Sequence, residues 1–195
     1  MCDIYQFIID RRFRHCLELG TGFGATACVM AAALQQVGGR MVTVDRVLYD
    51  EVNVKILLEH TGFNNVDVVI DDLGYNWYLA DLVRQRTIRG FCKPLFDFCL
   101  LDGAHEWEPD ALAFELVAKL LKPGGWIAID DLNFNLRMLP YWSDVYSHYT
   151  DRALDAFQMQ MVYDLVVRQD PRFHQFQITH ENRMGWARKR RWYWI

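Results

Sequence analysis

Short apolar runs alternate with amphipathic stretches along most of the chain, and this alternation predicts β-strands separated by α-helices. The apolar runs begin at Cys16 and continue at residues 41–45, 66–70, 96–101 and 126–129. Helices are predicted between them, at residues 24–37, 50–60, 75–89 and 109–121. This β-α-β order predicts an α/β fold with a mostly parallel, doubly wound sheet.

The last third of the chain departs from this order. Residues 143–169 are helical only in part, and two strand-like runs follow, Phe173 to Ile178 and Met184 to Trp194. A polar turn at residues 180–183 joins these runs, so we predict a C-terminal antiparallel hairpin after the fifth strand. Before the first strand, residues 1–14 can supply at most one short helix.

Glycines and prolines mark several predicted boundaries. Gly38-Gly39 ends the first helix, and Pro109 lies in the first turn of the fourth. The segment Lys122-Pro123-Gly124-Gly125 is predicted to break the chain between the fourth helix and the fifth strand. The length of 195 residues predicts a single domain over residues 1–195.

Composition disfavours several classes of protein. Hydrophobic residues make up 52% of the chain, which predicts a folded core, yet no apolar run is long enough to span a bilayer. The N-terminus lacks a signal-peptide pattern, and the net charge of -4 gives no global reason to expect nucleic acid or an acidic membrane as a partner. Of five scattered cysteines, Cys16, Cys28 and Cys99 fall in apolar segments, which indicates buried thiols in a reducing cytoplasm.

The basic run of residues 188–191 lies among Trp186, Trp192 and Trp194. Interleaved basic and aromatic residues can form a nucleic-acid surface. A strand at the sheet edge with its charges in solvent explains the same pattern and discourages edge pairing. We favour the edge strand and expect no nucleic-acid partner.

Residues 16–24, Cys-Leu-Glu-Leu-Gly-Thr-Gly-Phe-Gly, are the most informative segment, with a strand, an acid near its end and a glycine-rich turn. They place backbone N–H groups and the Glu18 carboxylate at the carboxyl edge of the first strand, where nucleotides bind in open α/β sheets. Asp45 ends the second strand 25 residues after Gly20, and an acid there can hold a ribose hydroxyl pair. The glycines also fit the dinucleotide pattern G-x-G-x-x-G/A, so the residues alone indicate an adenosine-type ligand without fixing which one.

This acid and these glycines resemble motif I of the class I S-adenosylmethionine (SAM) methyltransferases. The loop before the fifth strand and the C-terminal hairpin are also similar to that family, so the resemblance covers residues 15–192. It implies a Rossmann-like sheet and a SAM site formed by Glu18, Gly20, Thr21, Gly22, Asp45, Arg46, Asp72, Leu73 and Asp102. Two simpler roles stay open, since Asp72 could cap a helix and Arg46 could be solvated.

Charged residues also follow the fourth and fifth predicted strands. Asp102 and His105 come after the fourth, and Asp130 and Asp131 come after the fifth. Because the carboxyl ends of parallel strands meet at one sheet edge, we expect three carboxylates and an imidazole beside the cofactor. Clustered carboxylates suit Mg²⁺, and a histidine suits removal of a proton from an acceptor hydroxyl.

The pattern Asp-Gly-small-His with a later pair of acids resembles the metal-dependent sugar O-methyltransferases of macrolide biosynthesis. The resemblance implies that Asp102, Asp130 and Asp131 hold Mg²⁺ and that His105 is the general base. Catechol-type O-methyltransferases have Asp-Asn at the position of Asp130-Asp131, which argues against a close catechol relative. Simpler roles stay open: Asp102 could cap its turn or touch the cofactor, one acid of the pair could cap the next segment, and His105 could be structural.

The predicted function is SAM-dependent methylation of a hydroxyl on a small molecule or sugar. Residues 132–169 form the predicted acceptor side, although the aromatic stretch 132–149 could also be core or a homo-oligomer contact. Two other functions stay open, an NAD(P)-dependent oxidoreductase and a domain that binds SAM without turnover. A nucleic-acid or protein methyltransferase is disfavoured because the fourth strand lacks an Asn-Pro-Pro-Tyr type motif.

Overall fold

The structure is a computed structural model that describes residues 2–191, with side chains from Ile4 onward. Its strands are β1 (His15–Leu19), β2 (Arg40–Asp45), β3 (Val66–Ile70), β4 (Thr87–Ile88), β5 (Phe91–Cys92), β6 (Phe96–Leu101), β7 (Leu121–Ile129), β8 (Phe173–Thr179) and β9 (Met184–Lys189). Its α-helices are α1 (Cys2–Arg11), α2 (Ala25–Val37), α3 (Val54–Thr61), α4 (Tyr75–Arg86), α5 (Trp107–Leu120), α6 (Trp142–Val145), α7 (Asp151–Asp155) and α8 (Gln158–Met161). A 3₁₀ turn (Leu136–Met138) precedes α6, and a π-helix (Val162–Val167) follows α8.

Seven strands form one sheet in the order β3-β2-β1-β6-β7-β9-β8. All neighbouring pairs from β3 to β7 are parallel, and β9 is antiparallel to both β7 and β8. The predicted α/β sheet with a C-terminal antiparallel hairpin is therefore confirmed. The strand order reverses between β1 and β6, and such a switch point opens a crevice at the carboxyl ends of the strands.

Helices cover both faces of this sheet, because successive residues of a buried strand point to opposite sides. Leu100 of β6 packs toward α1, α2 and α3, in a cluster with Ile8, Met30, Leu34 and Leu58. Leu101 packs toward α4, α5 and the π-helix, in a cluster with Leu79, Phe114, Val117 and Tyr163. The two clusters therefore pack against the carboxyl half of the sheet from both sides.

Several predicted boundaries are corrected. The helix predicted to run to residue 89 ends at Arg86, and residues 87–92 form the small hairpin β4–β5. The break predicted at residues 122–125 lies within β7, where the pairing with β6 shifts between Phe96 and Phe98. The strand accommodates this bulge because Gly125 lies close to the Asp97 carbonyl, where a side chain would not fit.

The edge-strand interpretation of the basic C-terminal run is wrong. β9 lies between β7 and β8, so its described residues belong to an interior strand. Its basic groups donate to backbone carbonyls, Arg188 to Gly124 and Lys189 to Ala118 and Leu121. The predicted end of this strand, with Trp192 and Trp194, lies outside the described residues.

Two expectations from composition can be compared with residues 2–191. In that range, no helix is both long and apolar enough to cross a bilayer. Cys16 and Cys99 are buried free thiols, as predicted, whereas Cys28 is only half-buried. Burial raises the pKa of both buried thiols well above the ordinary value, so they are neutral packing groups.

The glycine-rich turn after β1 is pressed against the end of β6. Gly20 has φ +92°, and a Cβ there would lie 1.7 Å from the carbonyl oxygen of Asp102. Gly22 also has positive φ, +52°, but a Cβ there would have no neighbour within 4 Å. Gly20 and Gly22 are therefore under different constraints, because lack of space excludes a side chain at Gly20 but not at Gly22.

Gly20→Ala is expected to destabilise the fold by roughly 3–5 kcal/mol, because a methyl group would collide with backbone that cannot move aside. The matched variant Gly22→Ala should cost only about 1–2 kcal/mol, since it adds backbone strain without a collision. Urea unfolding of both variants measures this difference. Equal losses in the two variants would contradict the close approach at Gly20.

Candidate active site

A cavity of about 560 Å³ opens at the carboxyl ends of the central strands. One side is formed by the glycine-rich turn and the end of β2, and the floor by the loops after β6 and β7. An aromatic wall follows β7. The lining of the cavity as a whole includes Gly20, Thr21, Gly22, Asp45, Arg46, Asp102, His105, Asp131, Phe134, Tyr141 and Tyr146.

Asp45 organises the glycine-rich turn. Its Oδ2 accepts hydrogen bonds from the backbone N–H groups of Thr21 at 2.9 Å and Gly22 at 2.8 Å. Its Oδ1 accepts one bond, from Arg46 N at 2.6 Å, and so keeps acceptor capacity on the side of the cavity. The carboxylate predicted to hold a ribose therefore also fixes the turn beside it.

Glu18 lies beneath the turn and does not line the cavity. Its side chain is buried, and the Thr43 hydroxyl donates to its Oε2 at 2.5 Å. Thr43 is in turn 2.6 Å from the Thr21 hydroxyl, which links the acid to the turn. Burial raises the pKa of Glu18 from 4.5 to about 8, although the Thr43 bond opposes the shift. Glu18 is thus placed to support the turn from below.

The residues after β3 lie near the site but outside the cavity lining. Asp71 accepts a hydrogen bond from Leu73 N at 3.0 Å, and Arg46 Nε lies 3.4 Å from the Asp72 carbonyl oxygen. Gly74 is the N-cap of α4, so the alternative that Asp72 caps this helix is wrong. Arg46 does line the cavity, and the contacts predicted for Asp72 and Leu73 with a cofactor stay predictions.

Asp102, His105 and Asp131 converge on the floor. His105 Nε2 lies 3.2 Å from an oxygen of Asp102 and 3.2 Å from an oxygen of Asp131. One ligand atom from each of the three residues lies within 4.8 Å of the other two. His105 and Asp131 both have φ +58°, which shows that the two loops hold them in a strained backbone conformation.

The two carboxylates control the charge of His105. Burial lowers its pKa, but the hydrogen bonds to Asp102 and Asp131 outweigh burial and raise the pKa from 6.5 to about 10. The ring is therefore an imidazolium at neutral pH while both carboxylates bind it. In this state His105 can donate a proton but cannot accept one.

Asp130 is held apart from this cluster, although it neighbours Asp131. Arg183 binds both of its oxygens, with Nε to Oδ1 at 3.0 Å and Nη2 to Oδ2 at 3.2 Å. Arg183 Nε is also 3.0 Å from Asp131 Oδ1. No local pattern of residues indicates this cation, since Arg183 ends a polar turn 53 residues further along the chain.

A second group missed in the sequence holds the loop that carries His105. The Tyr75 hydroxyl donates to Asp110 Oδ1 at 2.5 Å and accepts from Ala104 N at 3.1 Å. Asp110 Oδ2 accepts from Glu106 N at 3.0 Å, and Asp110 is fully buried. The sequence does contain a signal for this group, because Asp110 lies four residues before Phe114 and so on the apolar face of α5. A buried acid at such a position needs hydrogen-bond partners.

The segment after β7 supplies the far wall of the cavity, and the binding of an acceptor at this wall stays a prediction. Phe134 packs its ring against His105 at a centroid distance of 5.4 Å. Leu139, Tyr141 and Tyr146 also line the cavity. Trp142 faces elsewhere and lies under the Arg137 guanidinium, 4.8 Å from it.

Comparison with known proteins identifies the family of this chain and solved structures with a similar fold. Residues 17–132 match a family model described as a methyltransferase domain. No curated protein matches the chain. Similar solved structures include a putative caffeoyl-CoA O-methyltransferase from Staphylococcus aureus, 17% identical over 95% of this chain and 80% of that one, with a TM-score of 0.67.

Two further structures carry ligands. The O-methyltransferase TomG from Streptomyces achromogenes, in complex with SAM, is 16% identical over 96% of this chain and 78% of that one, with a TM-score of 0.61. MycE of the mycinamycin pathway, in complex with Mg, SAH and mycinamycin VI, is 17% identical over 95% of this chain and 48% of that one, with a TM-score of 0.60. At these identities the likeness shows the fold.

The raised pKa of Glu18 predicts a pH-dependent stability. The carboxyl ionises near 4.5 in the unfolded chain and near 8 in the folded protein, so folding is most favoured at acid pH and loses stability as pH rises through that window. Glu18→Gln cannot ionise, so its Tm should rise relative to that of the natural protein from about pH 5 to about pH 9. Glu59→Gln, which removes an exposed carboxylate of α3, is the matched control. A Tm difference for Glu18→Gln that does not change with pH would contradict the buried, protonated acid.

Proposed function

Because the chain belongs to the methyltransferase-domain family, whose fold is that of the class I SAM-dependent methyltransferases, we propose that it transfers the SAM methyl group to a hydroxyl of a small molecule or sugar. The observation that carries this proposal is the composition of one cavity. The glycine-rich turn with Asp45 and the cluster of Asp102, His105 and Asp131 face the same space.

The turn side of the cavity suits the cofactor. Asp45 keeps acceptor capacity for ribose hydroxyls, and Gly20 and Gly22 leave the backbone open to a ligand. SAM in the TomG complex supports the choice of cofactor. The family match disfavours the nicotinamide alternative, and the aromatic wall opposite the turn favours turnover over cofactor binding alone.

The cluster side suits an acceptor. Methyl transfer is an in-line displacement at a sulfonium, so the protein must hold the acceptor oxygen in position and receive its proton. Phe134, Tyr141 and Tyr146 form an apolar wall against which a small ring can stack. His105 is the proposed base. It can accept a proton only when Asp102 and Asp131 are engaged by a cation other than its own ring.

The donor atoms of the cluster fit a divalent cation. Two carboxylates and an imidazole within 4.8 Å form a compact set in which oxygen predominates, and Mg²⁺ prefers oxygen ligands. The MycE complex contains Mg, which supports the same choice. We propose that Asp102 and Asp131 hold this ion. When bound, it would lower the pKa of an acceptor hydroxyl and orient it.

The proposed cofactor is tested by calorimetric titration of SAM and S-adenosylhomocysteine (SAH). Both are expected to bind, and Asp45→Asn should weaken each at least tenfold by removing a charged acceptor for the ribose. Asp67→Asn, at an exposed position of β3, is the matched control. Binding of NADH in place of SAM and SAH would contradict the proposal.

The proposed roles on the acceptor side are tested by turnover. With an acceptor found by screening hydroxylated aromatics and sugars for SAH release, His105→Gln is expected to lower kcat by roughly 10²–10⁴. Asp102→Asn should also lower kcat strongly, while SAH affinity stays within a few-fold of the natural value. His60→Gln, an exposed histidine of α3, is the control. Full turnover in both site variants would rule out these roles.

A further inference from the structure

We infer that Arg183 is a positioning residue that acts as a built-in cation: it removes Asp130 from the ligand set and leaves Asp102 and Asp131, beside His105, to receive a divalent ion. This inference rests on the proposed function for the metal, and it changes the ligand set expected from the sequence, which included Asp130.

Asp130 is engaged by Arg183 and so is not free to bind an ion. A planar guanidinium that binds both oxygens of a carboxylate forms one of the strongest ion pairs in proteins, and Arg183 binds Asp130 in this way. Asp130 Oδ1 also accepts the N–H of Asp131 at 2.8 Å. The Asp130 side chain is only 11% exposed, whereas that of Arg183 is 55% exposed, so an ion approaching Asp130 would have to displace the guanidinium that covers it.

The backbone anchors Arg183 in this position. Leu132 N donates to the Arg183 carbonyl at 2.8 Å, which joins the start of β9 to the segment after β7. Arg183 N donates to the carbonyls of Thr179 and His180. Residues 180–182 all have positive φ, a tight turn that returns the chain to this point. The hairpin β8–β9 therefore fixes the backbone of Arg183 beside the site, within reach of Asp130.

Arg183 also sets how many carboxylates are available to the ion. The loops after β6 and β7 bring together three carboxylates, those of Asp102, Asp130 and Asp131. Arg183 pairs with one of these carboxylates and leaves two for the ion, and two carboxylates carry the charge that a divalent ion neutralises. Without Arg183, three carboxylates would face one ion.

Asp131 is shared between the two halves of the site. Its Oδ1 binds Arg183 and its Oδ2 faces His105, at 3.0 Å and 3.2 Å. Arg183 thus orients Asp131 so that one oxygen points to the position between Asp102 and His105. The two neighbouring acids therefore have different roles: Asp131 is a ligand of the ion, and Asp130 is the partner of Arg183.

Mn²⁺ titration by calorimetry and electron paramagnetic resonance, with no acceptor present, tests this division of roles. Asp131→Asn should weaken Mn²⁺ binding at least about tenfold, whereas Asp130→Asn should change it by no more than about threefold. Arg183→Met should tighten binding, because it frees Asp130. Adding Asp130→Asn to Arg183→Met should abolish that gain.

Arg84→Met, which removes an exposed cation of α4, is the matched control and should leave Mn²⁺ affinity unchanged. Thermal unfolding and SAH titration verify that each variant is folded. If Asp130→Asn weakens Mn²⁺ binding as much as Asp131→Asn does, Asp130 is a ligand and the inference is overturned. Failure of Arg183→Met to tighten binding overturns it as well.

The same experiment separates this inference from the proposed function. If the natural protein does not bind Mn²⁺ but Arg183→Met does, Arg183 occupies the place of the ion. This outcome overturns the inference and the metal part of the proposed function, but not methyl transfer. If neither protein binds Mn²⁺, the inference fails with the metal. Methyl transfer itself is judged separately, by SAM and SAH binding.

Discussion

The close approach of two backbones, at Gly20 and at Asp102, is the constraint on which the site depends. A Cβ at Gly20 would lie 1.7 Å from the Asp102 carbonyl oxygen, so the turn after β1 and the loop after β6 touch with no side chain between them. The sheet places these segments on adjacent strands, at the point where the strand order reverses. A cofactor held by the first segment is therefore within reach of an acceptor held by the second.

Once the loops are this close, the site has to manage several acids in a half-buried volume, where unpaired charge is costly. It does so with three partner groups for four acids. Arg183 binds Asp130, the Tyr75 hydroxyl binds Asp110, and His105 bridges Asp102 and Asp131. Only the last pair is held by a group that can give up its proton, and this distinguishes the reactive part of the site from its supports.

The family and the α/β sheet could be predicted from the sequence, and both are confirmed. β3 and β6 have the predicted bounds, because each is an apolar run closed by polar or turn residues. β7 begins earlier than predicted, because a bulge lets glycines and a proline continue in a strand. Arg183 could not be placed, since its contact with Asp130 spans 53 residues and depends on the position of a hairpin in the folded sheet.

The most direct measurement is a crystal structure of the protein grown with SAH and Mn²⁺, with anomalous diffraction to locate the ion. We predict the SAH ribose against Asp45 and one anomalous peak coordinated by Asp102 and Asp131 beside His105, with Arg183 still bound to Asp130. SAH in this cavity without an ion would contradict the metal site. An empty cavity with SAH bound elsewhere would contradict the placement of methyl transfer at the carboxyl edge of the sheet.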